Sequence, residues 1–424
     1  MHIAHVFLLL LALSMPVLLS AEAAGSETLE GLINEALRNN PELRSLEEKK
    51  DVYEQRPSQA MSLDDPMLRF AIANLPVDTF SFDQEAMTQK QVSIQQKFPF
   101  PGKLGLKGDI ARRDVVVVNE EYNEKKNSII RQVKTVRNEL LFLESSFEIT
   151  TETKGLLEGF ITAAETKYST GKGSQQDAVK ARMELSRIIK KVISINQKRE
   201  AAYARLNSLL GRPVQAELHL SGELTETLIE LSRDELYAAA EQTSPALMGM
   251  EQKIERSRLA GRLAEREYYP DMDFGVTYGQ RDDGDMGERP DFLSAAVTFN
   301  IPLWYRTKES RKVAEEKANE RWAVEQYNAM RNAIDLRIRE LIAEIDMYRQ
   351  EMELLKTGLI PQGSLSFESA LSGYKVNMID IMTLINNQIS LYNYKLEYFR
   401  AVASHENSLA ELEETIGRPI YPVR

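Results

Sequence analysis

Thiol chemistry and histidine-based catalytic or zinc centres need cysteine or histidine, and this chain offers very little of either. It has no cysteine and four histidines in 424 residues. Disulfides, thiolate metal sites, cysteine nucleophiles and cysteine lipidation are therefore excluded. His2 and His5 lie in the leader, which leaves His219 and His405 widely separated in sequence. Carboxylates are plentiful, but they alternate with Lys and Arg in the manner of solvated helix faces and accompany no glycine-rich phosphate loop. The densest acidic run is Asp282-Asp283-Gly284-Asp285-Met286-Gly287-Glu288. It has oxygens that could hold calcium, but its EF-hand spacing is incomplete, and it reads as a solvated loop. No catalytic residue, cofactor or resident metal is expected, so the chain does not read as an enzyme. A formal net charge of −11 also argues against nucleic acid as a partner, because phosphate binding needs a cationic face.

With chemistry set aside, the informative feature is that the chain is written twice. Leu209-Leu210-Gly211-Arg212-Pro213 closes one half and Thr415-Ile416-Gly417-Arg418-Pro419 closes the other, 206 residues later. The same offset pairs Tyr168 with Tyr374. Upstream it becomes 205 at Tyr122 and Tyr327, and 204 at Pro41 and Pro245. A repeat this long points to a duplicated structural unit. Its boundaries are a leader at 1–23, a first copy at 24–215, a linker at 216–232 and a second copy at 233–424. The leader has an apolar run from Val6 to Leu19 followed by Ala21-Glu22-Ala23. That is the pattern of a cleaved export signal, and the run is short for a spanning helix.

Each copy carries a long charged segment with an apolar seam. Ile129, Val133, Val136, Leu140, Leu143 and Phe147 are spaced 4-3-4-3-4, and Ile334, Ile338, Leu341, Ile345, Tyr348 and Met352 repeat the spacing. Such a 3.5-residue period buries a narrow stripe against a partner helix. The hairpins are expected at about 102–210 and 306–416. Arg199 and His405 fall at the same polar seam position, which suits a packing or register role. Gly155 aligns with Pro361, so a matched bend is expected in both outgoing arms. The turnovers fall at Thr170-Gly171-Lys172 and Val376-Asn377-Met378, where Gly and Asn supply left-handed backbone.

Before each long arm come two alternating segments, at about 67–75 and 90–98 and again at about 271–279 and 292–301. One face is apolar and the other small or polar. A length near ten residues suits a transmembrane strand. The helices use their apolar residues on their own seams, leaving nothing to cover the apolar sheet face. Four strands cannot close a membrane barrel, and an open edge is not tolerated in lipid. Spanning therefore requires several chains to pool their strands. Phe100 beside Pro99 and Pro101, and Trp304-Tyr305 after Pro302, fit an aromatic belt where strand passes to helix.

The duplicated order of short helix, strand pair, long helix and return helix resembles the TolC family of outer-membrane efflux proteins over the whole mature chain. The supporting marks are Leu206-x-x-Leu209-x-Gly211-Arg212-Pro213 with its later Gly-Arg-Pro echo, and the Tyr168-x-x-Gly171 turn. Phe98-Pro-Phe-Pro-Gly-Lys103 and Ile360-Pro361-Gln362 ahead of Ala370-Leu-Ser-Gly-Tyr374 resemble the heavy-metal, CzcC/CusC-like branch. The resemblance implies a mainly α fold with a small β portion, assembled as a homotrimer with one β-barrel in outer-membrane lipid and an α-helical coiled-coil tunnel in the periplasm. It further implies a passive exit duct for heavy metals or drugs, docked to a periplasmic adaptor and through it to an inner-membrane pump. The adaptor would meet the tips at Thr170, Gly171, Lys172, Val376, Asn377 and Met378. Family members that narrow the tunnel with aspartates place them at positions occupied here by Thr383 and Asn386. Asp177 and Asp380 are the nearby carboxylates, and the four together form the candidate constriction. The alternatives are the outer-membrane component of type I protein secretion, and a periplasmic coiled-coil structural or adaptor protein.

Overall fold

The duplication recurs element by element in the computed structural model, which describes residues 27–228, 232–284 and 287–420. The expected export signal at 1–23 lies outside the described residues. The first copy runs α1 (Leu29–Asn39), α2 (Pro41–Glu54), α3 (Arg56–Met61), β1 (Met67–Ala73), β2 (Gln89–Phe98), α4 (Lys103–Ser169) and α5 (Gln175–Leu209). The second runs α6 (Arg233–Thr243), α7 (Pro245–Arg266), β3 (Met272–Gln280), β4 (Phe292–Phe299), α8 (Glu309–Leu354), a π-helical turn (Leu355–Leu359), α9 (Ile360–Lys375) and α10 (Ile381–Ile416). Where the second copy has the single helix α7, the first is split into α2 and α3. Pro57 explains the difference, since it sits in the first turn of α3 and lacks the N–H needed mid-helix.

The predicted seams form the core. Ile129, Val133, Val136, Leu140 and Leu143 are buried with α1 and α5 residues. Ile334, Ile338, Leu341 and Ile345 are buried with α6 and α10 residues. At the seam's polar position, the Arg199 guanidinium lies 5.1 Å from the Phe147 ring centroid. Its counterpart His405 is 3% exposed, with Nδ1 3.0 Å from Glu406 Oε1. The two copies are joined through α4 and α10 by Arg131–Glu414 and the buried Lys134–Glu413 pair. The long helices thus form a row, α5–α4–α10–α8, with α7 filling in between α4 and α8.

The matched bend is corrected by the structure. Helix α4 runs unbroken through Gly155 for 67 residues, because glycine weakens a helix without removing a hydrogen bond. Only the second copy is interrupted. Pro361 cannot donate to the carbonyl four residues back, and the backbone just before it widens into the π-turn, where Ile360 N–H reaches Leu355 O.

The Gly-Arg-Pro closures have a steric cause. Gly211 and Gly417 have φ of +71° and +84°. A Cβ on Gly211 would lie 2.8 Å from Asn39 O, and one on Gly417 would collide with the Thr243 carbonyl. Each glycine lets the return helix end against the short helix of its own copy. Arg212 then holds Glu35 through two hydrogen bonds of 2.6 and 2.5 Å.

Candidate functional site

Two regions draw together what the sequence singled out: the paired hairpin tips and the sheet at the opposite end of the long arms. The tips are built alike. In the first, Gly171 N–H bonds Tyr168 O at 3.0 Å and Lys172 N–H bonds Lys167 O at 2.8 Å. In the second, Asn377 N–H bonds Tyr374 O at 3.3 Å and Met378 N–H bonds Gly373 O at 2.9 Å. Gly171 and Asn377 both have positive φ, +72° and +59°, so asparagine supplies the left-handed residue where glycine is absent. The return helices are then capped at equivalent positions. Ser174 Oγ accepts from Gln176 N, and Asp380 accepts from Thr383 N at 3.0 Å.

The tips also touch each other. Lys167 Nζ donates to Tyr374 O at 2.8 Å and lies 3.6 Å from the Tyr374 ring centroid. A cleft of about 250 Å³ between them is lined by Lys172, Asp177, Tyr374, Asn377, Met378 and Asp380, among others. Val376 and Met378 project outward, 62% and 84% exposed. Lys167 was not among the residues chosen from sequence. Its position just before the turn tyrosine was the available signal, but its acceptor lies 207 residues away.

Of the candidate constriction, the structure brings Asp380 and Thr383 together as one helix cap, with Thr383 Oγ1 donating to Asp380 Oδ2 at 2.7 Å. Those two bonds hold the Asp380 carboxyl below its ordinary value, the side-chain bond from Thr383 contributing most. Asp177 lines the cleft across from it. Burial first, and the Asp177 charge second, push the Tyr374 hydroxyl up. Asn386 is exposed on α10, on the same side as Thr383, and does not line the cleft.

At the other end the strands pair antiparallel in the order β1-β2-β3-β4, leaving β1 and β4 as open edges. Register sorts the side chains. One row across the sheet reads Leu68-Ile94-Val276-Ala295 and the next on that face reads Phe70-Val92-Tyr278-Leu293. The opposite face carries Arg69-Ser93-Thr277-Ser294 and, further along, Lys97-Asp273-Thr298. Period-two alternation produces this separation only when all four strands hold the same register. The apolar face is open: Phe70, Ile94, Val276 and Leu293 are 72, 50, 45 and 77% exposed. Among the described residues no helix is long and apolar enough to cross a membrane.

Sheet and helices meet at a buried ion pair absent from the sequence reading. Lys103, at the start of α4, donates to Asp271 Oδ1 at 2.7 Å and to Tyr269 O at 3.0 Å. Phe100 N–H also reaches Asp271 at 2.9 Å, and the Phe100 and Tyr269 rings stack at 4.5 Å. Gly102, at φ +92°, turns the chain from β2 into α4. The acidic loop that could have suited calcium is engaged otherwise: Lys90 Nζ lies 2.9 Å from Asp282 and Arg289 N–H bonds Asp283 at 3.1 Å. Asp285 and Met286 are outside the described residues.

Residues 32–212 match the family model described as outer membrane efflux protein. That match covers the first copy and ends within its Gly-Arg-Pro closure. No curated protein matches the sequence. Solved structures are similar over nearly the whole chain. The outer membrane protein VceC of Vibrio cholerae has a TM-score of 0.77 at 15% identity, covering 93% of this chain and 97% of its own. CusC, known from crystal structures concerned with folding and transmembrane channel formation, has a TM-score of 0.77 at 14% identity, covering 93% and 92%. The CmeC outer membrane channel of Campylobacter jejuni has a TM-score of 0.77 at 12% identity, covering 92% and 86%. CusC is no more similar than the others, so the fold does not single out the CusC-like branch.

Proposed function

We propose that this chain, whose first copy matches the outer membrane efflux protein family and whose whole length has the fold of outer-membrane channels, is the exit duct of a tripartite efflux assembly. The observation that carries the reading is the two-faced sheet with two open edges. Its apolar face needs lipid or another apolar layer, and its edges need strands. Three copies would supply twelve strands to one barrel, with the Arg69-Ser93-Thr277-Ser294 face lining a water-filled interior. The helical row would continue as a tunnel, and the paired tips would be the end that meets an adaptor and, through it, an inner-membrane pump. Transport is passive: no bond is made or broken, and the pump supplies the energy. The cargo is a small solute, a heavy-metal cation or a hydrophobic drug.

The test is growth of a deletion strain on metal salts and on hydrophobic drugs, with and without the gene restored. Sensitivity to either class that is reversed by complementation supports the efflux duct, and which class it is names the cargo. Normal growth on both, with loss of a secreted polypeptide, would replace efflux by protein export.

A further inference from the structure

Midway along α5 and α10 a slot runs between the two helices, with α4 as its floor. Both helices pack along α4 but touch each other only slightly, and about 270 Å³ stays open between them. The α5 wall is Lys191, Ser194, Ile195 and Lys198, spaced i, i+3, i+4 and i+7 as one helix face. The slot shares no residue with the tip cleft.

Its floor holds a hydroxyl with nothing to bond. Ser146 lines the slot, is 3% exposed, and its Oγ has no hydrogen-bond partner in the chain. A buried hydroxyl left unbonded is costly, so the position favours an occupant that can accept from it. The wall beside it is fixed in advance. Thr150 Oγ1 places its one hydrogen on Ser146 O at 2.6 Å, so the Tyr392 hydroxyl, 3.2 Å away, donates to Thr150. Tyr392 is 1% exposed and its ring is held before anything binds.

The charges are one-sided. Lys191, Lys198 and Arg400 line the slot against one carboxylate, Glu397, and among the described residues none of these three cations forms an ion pair. Two of them meet rings instead: Lys191 Nζ lies 4.4 Å from the Tyr392 centroid and Arg400 Cζ 5.9 Å from that of Phe142. A ring attracts a cation but leaves it N–H donors for an anion. Helices α5 and α10 run the same way from their tips. From the Lys191–Tyr392 contact it is seven residues to Lys198 and eight to Arg400, about 11 Å along both helices. Lys198 and Arg400 thus share one end of the slot, and Leu143 and Leu396 line it between the ends.

We infer that the slot binds a small monoanionic organic acid, its carboxylate between Lys198 and Arg400 and its apolar body over Leu143 and Leu396. The volume is near the lower bound of about 300 Å³ for small-molecule sites, which limits the body to roughly two fused rings. A bound acid ties α5 of the first copy to α10 of the second. The inference does not depend on the duct reading.

The probe is 2-naphthoate, titrated calorimetrically into the purified full chain in nonionic detergent with blank micelles subtracted, and 2-naphthamide is its neutral analogue. The expected result is saturable binding of naphthoate and at least tenfold weaker binding of naphthamide. Lys198→Gln and Arg400→Gln should each weaken naphthoate about tenfold, as loss of a charge-assisted hydrogen bond does. Lys180→Gln, on α5 outside the slot, should leave it unchanged. Ser194→Phe alters an exposed wall position, keeps every charge and fills the slot, and it should abolish binding while circular dichroism shows the helices intact. No saturable binding to the unaltered chain, naphthamide binding as tightly as naphthoate, or no effect of Lys198→Gln and Arg400→Gln would each overturn the inference. All three leave the growth test of the duct untouched.

Discussion

Replacing Asp271 with asparagine should loosen the joint between sheet and helices. At 2.7 Å and an effective dielectric near 20, the Lys103–Asp271 attraction is about 6 kcal/mol before desolvation. Much of that is offset, because both side chains leave water: they are 8% and 15% exposed. Asparagine can keep the Phe100 N–H bond, but Lys103 would remain buried with only neutral oxygens. Removing one partner of a buried pair costs about 3 kcal/mol. Lys97, 3.8 Å from Asp271 and 45% exposed on its side chain, adds little. Lys103→Met should cost less, because Asp271 would keep the Phe100 N–H and Lys97. Combining Lys103→Met with Asp271→Leu should recover much of the loss, since an apolar pair of similar volume needs no desolvation. The assay is chemical denaturation of the detergent-solubilised protein, read as a double-mutant cycle over Lys103→Met, Asp271→Leu and the two together. A coupling energy below about 0.5 kcal/mol would refute the reasoning, because independent sites show no more than that.

At the second tip, Asn377→Gly should be tolerated, while Asn377→Val should destabilise the turn by about 1–2 kcal/mol, because a β-branched residue resists left-handed backbone; limited proteolysis at the tip would read the difference. Asp380→Ala should cost about 1 kcal/mol by uncapping α10, seen as faster amide exchange at the start of α10. The pH dependence follows from the depressed carboxyl of Asp380. Its contribution is present in full above the ordinary value of 3.8 and fades as pH falls through the lower folded value. Exchange at 381–384, corrected for intrinsic rate, should therefore be flat from neutral pH down to that range, and Asp380→Asn should keep the cap while removing the acid step.

Legibility from sequence followed the range of the interactions. The strands were expected at about 67–75, 90–98, 271–279 and 292–301 and occur at Met67–Ala73, Gln89–Phe98, Met272–Gln280 and Phe292–Phe299. Alternation and heptads are local patterns, and the duplication let each copy check the other. The tip turns were equally readable, since Gly171 and Asn377 are the residue types that left-handed backbone selects. What escaped depends on partners far away in the chain. Lys103 and Asp271 are 168 residues apart, and nothing beside either marks it as buried. The bend at Gly155 failed for a different reason. Alignment with Pro361 carried a proline's effect onto a glycine, which still donates its hydrogen bond.

The copies are alike in fold, but their places in the row are not interchangeable, and that asymmetry bears on how the edges can be covered. In the sheet, β1 of the first copy lies at one edge and β4 of the second at the other. In the helical row, α5 of the first copy lies at one end and α8 of the second at the other. A two-fold pairing of like edges would leave another pair of like edges open, with unpaired strand amides that lipid cannot satisfy. Joining unlike edges leaves none once the ring closes. In the proposed duct the sheet therefore sets the sense of closure, because its edge amides need strand partners.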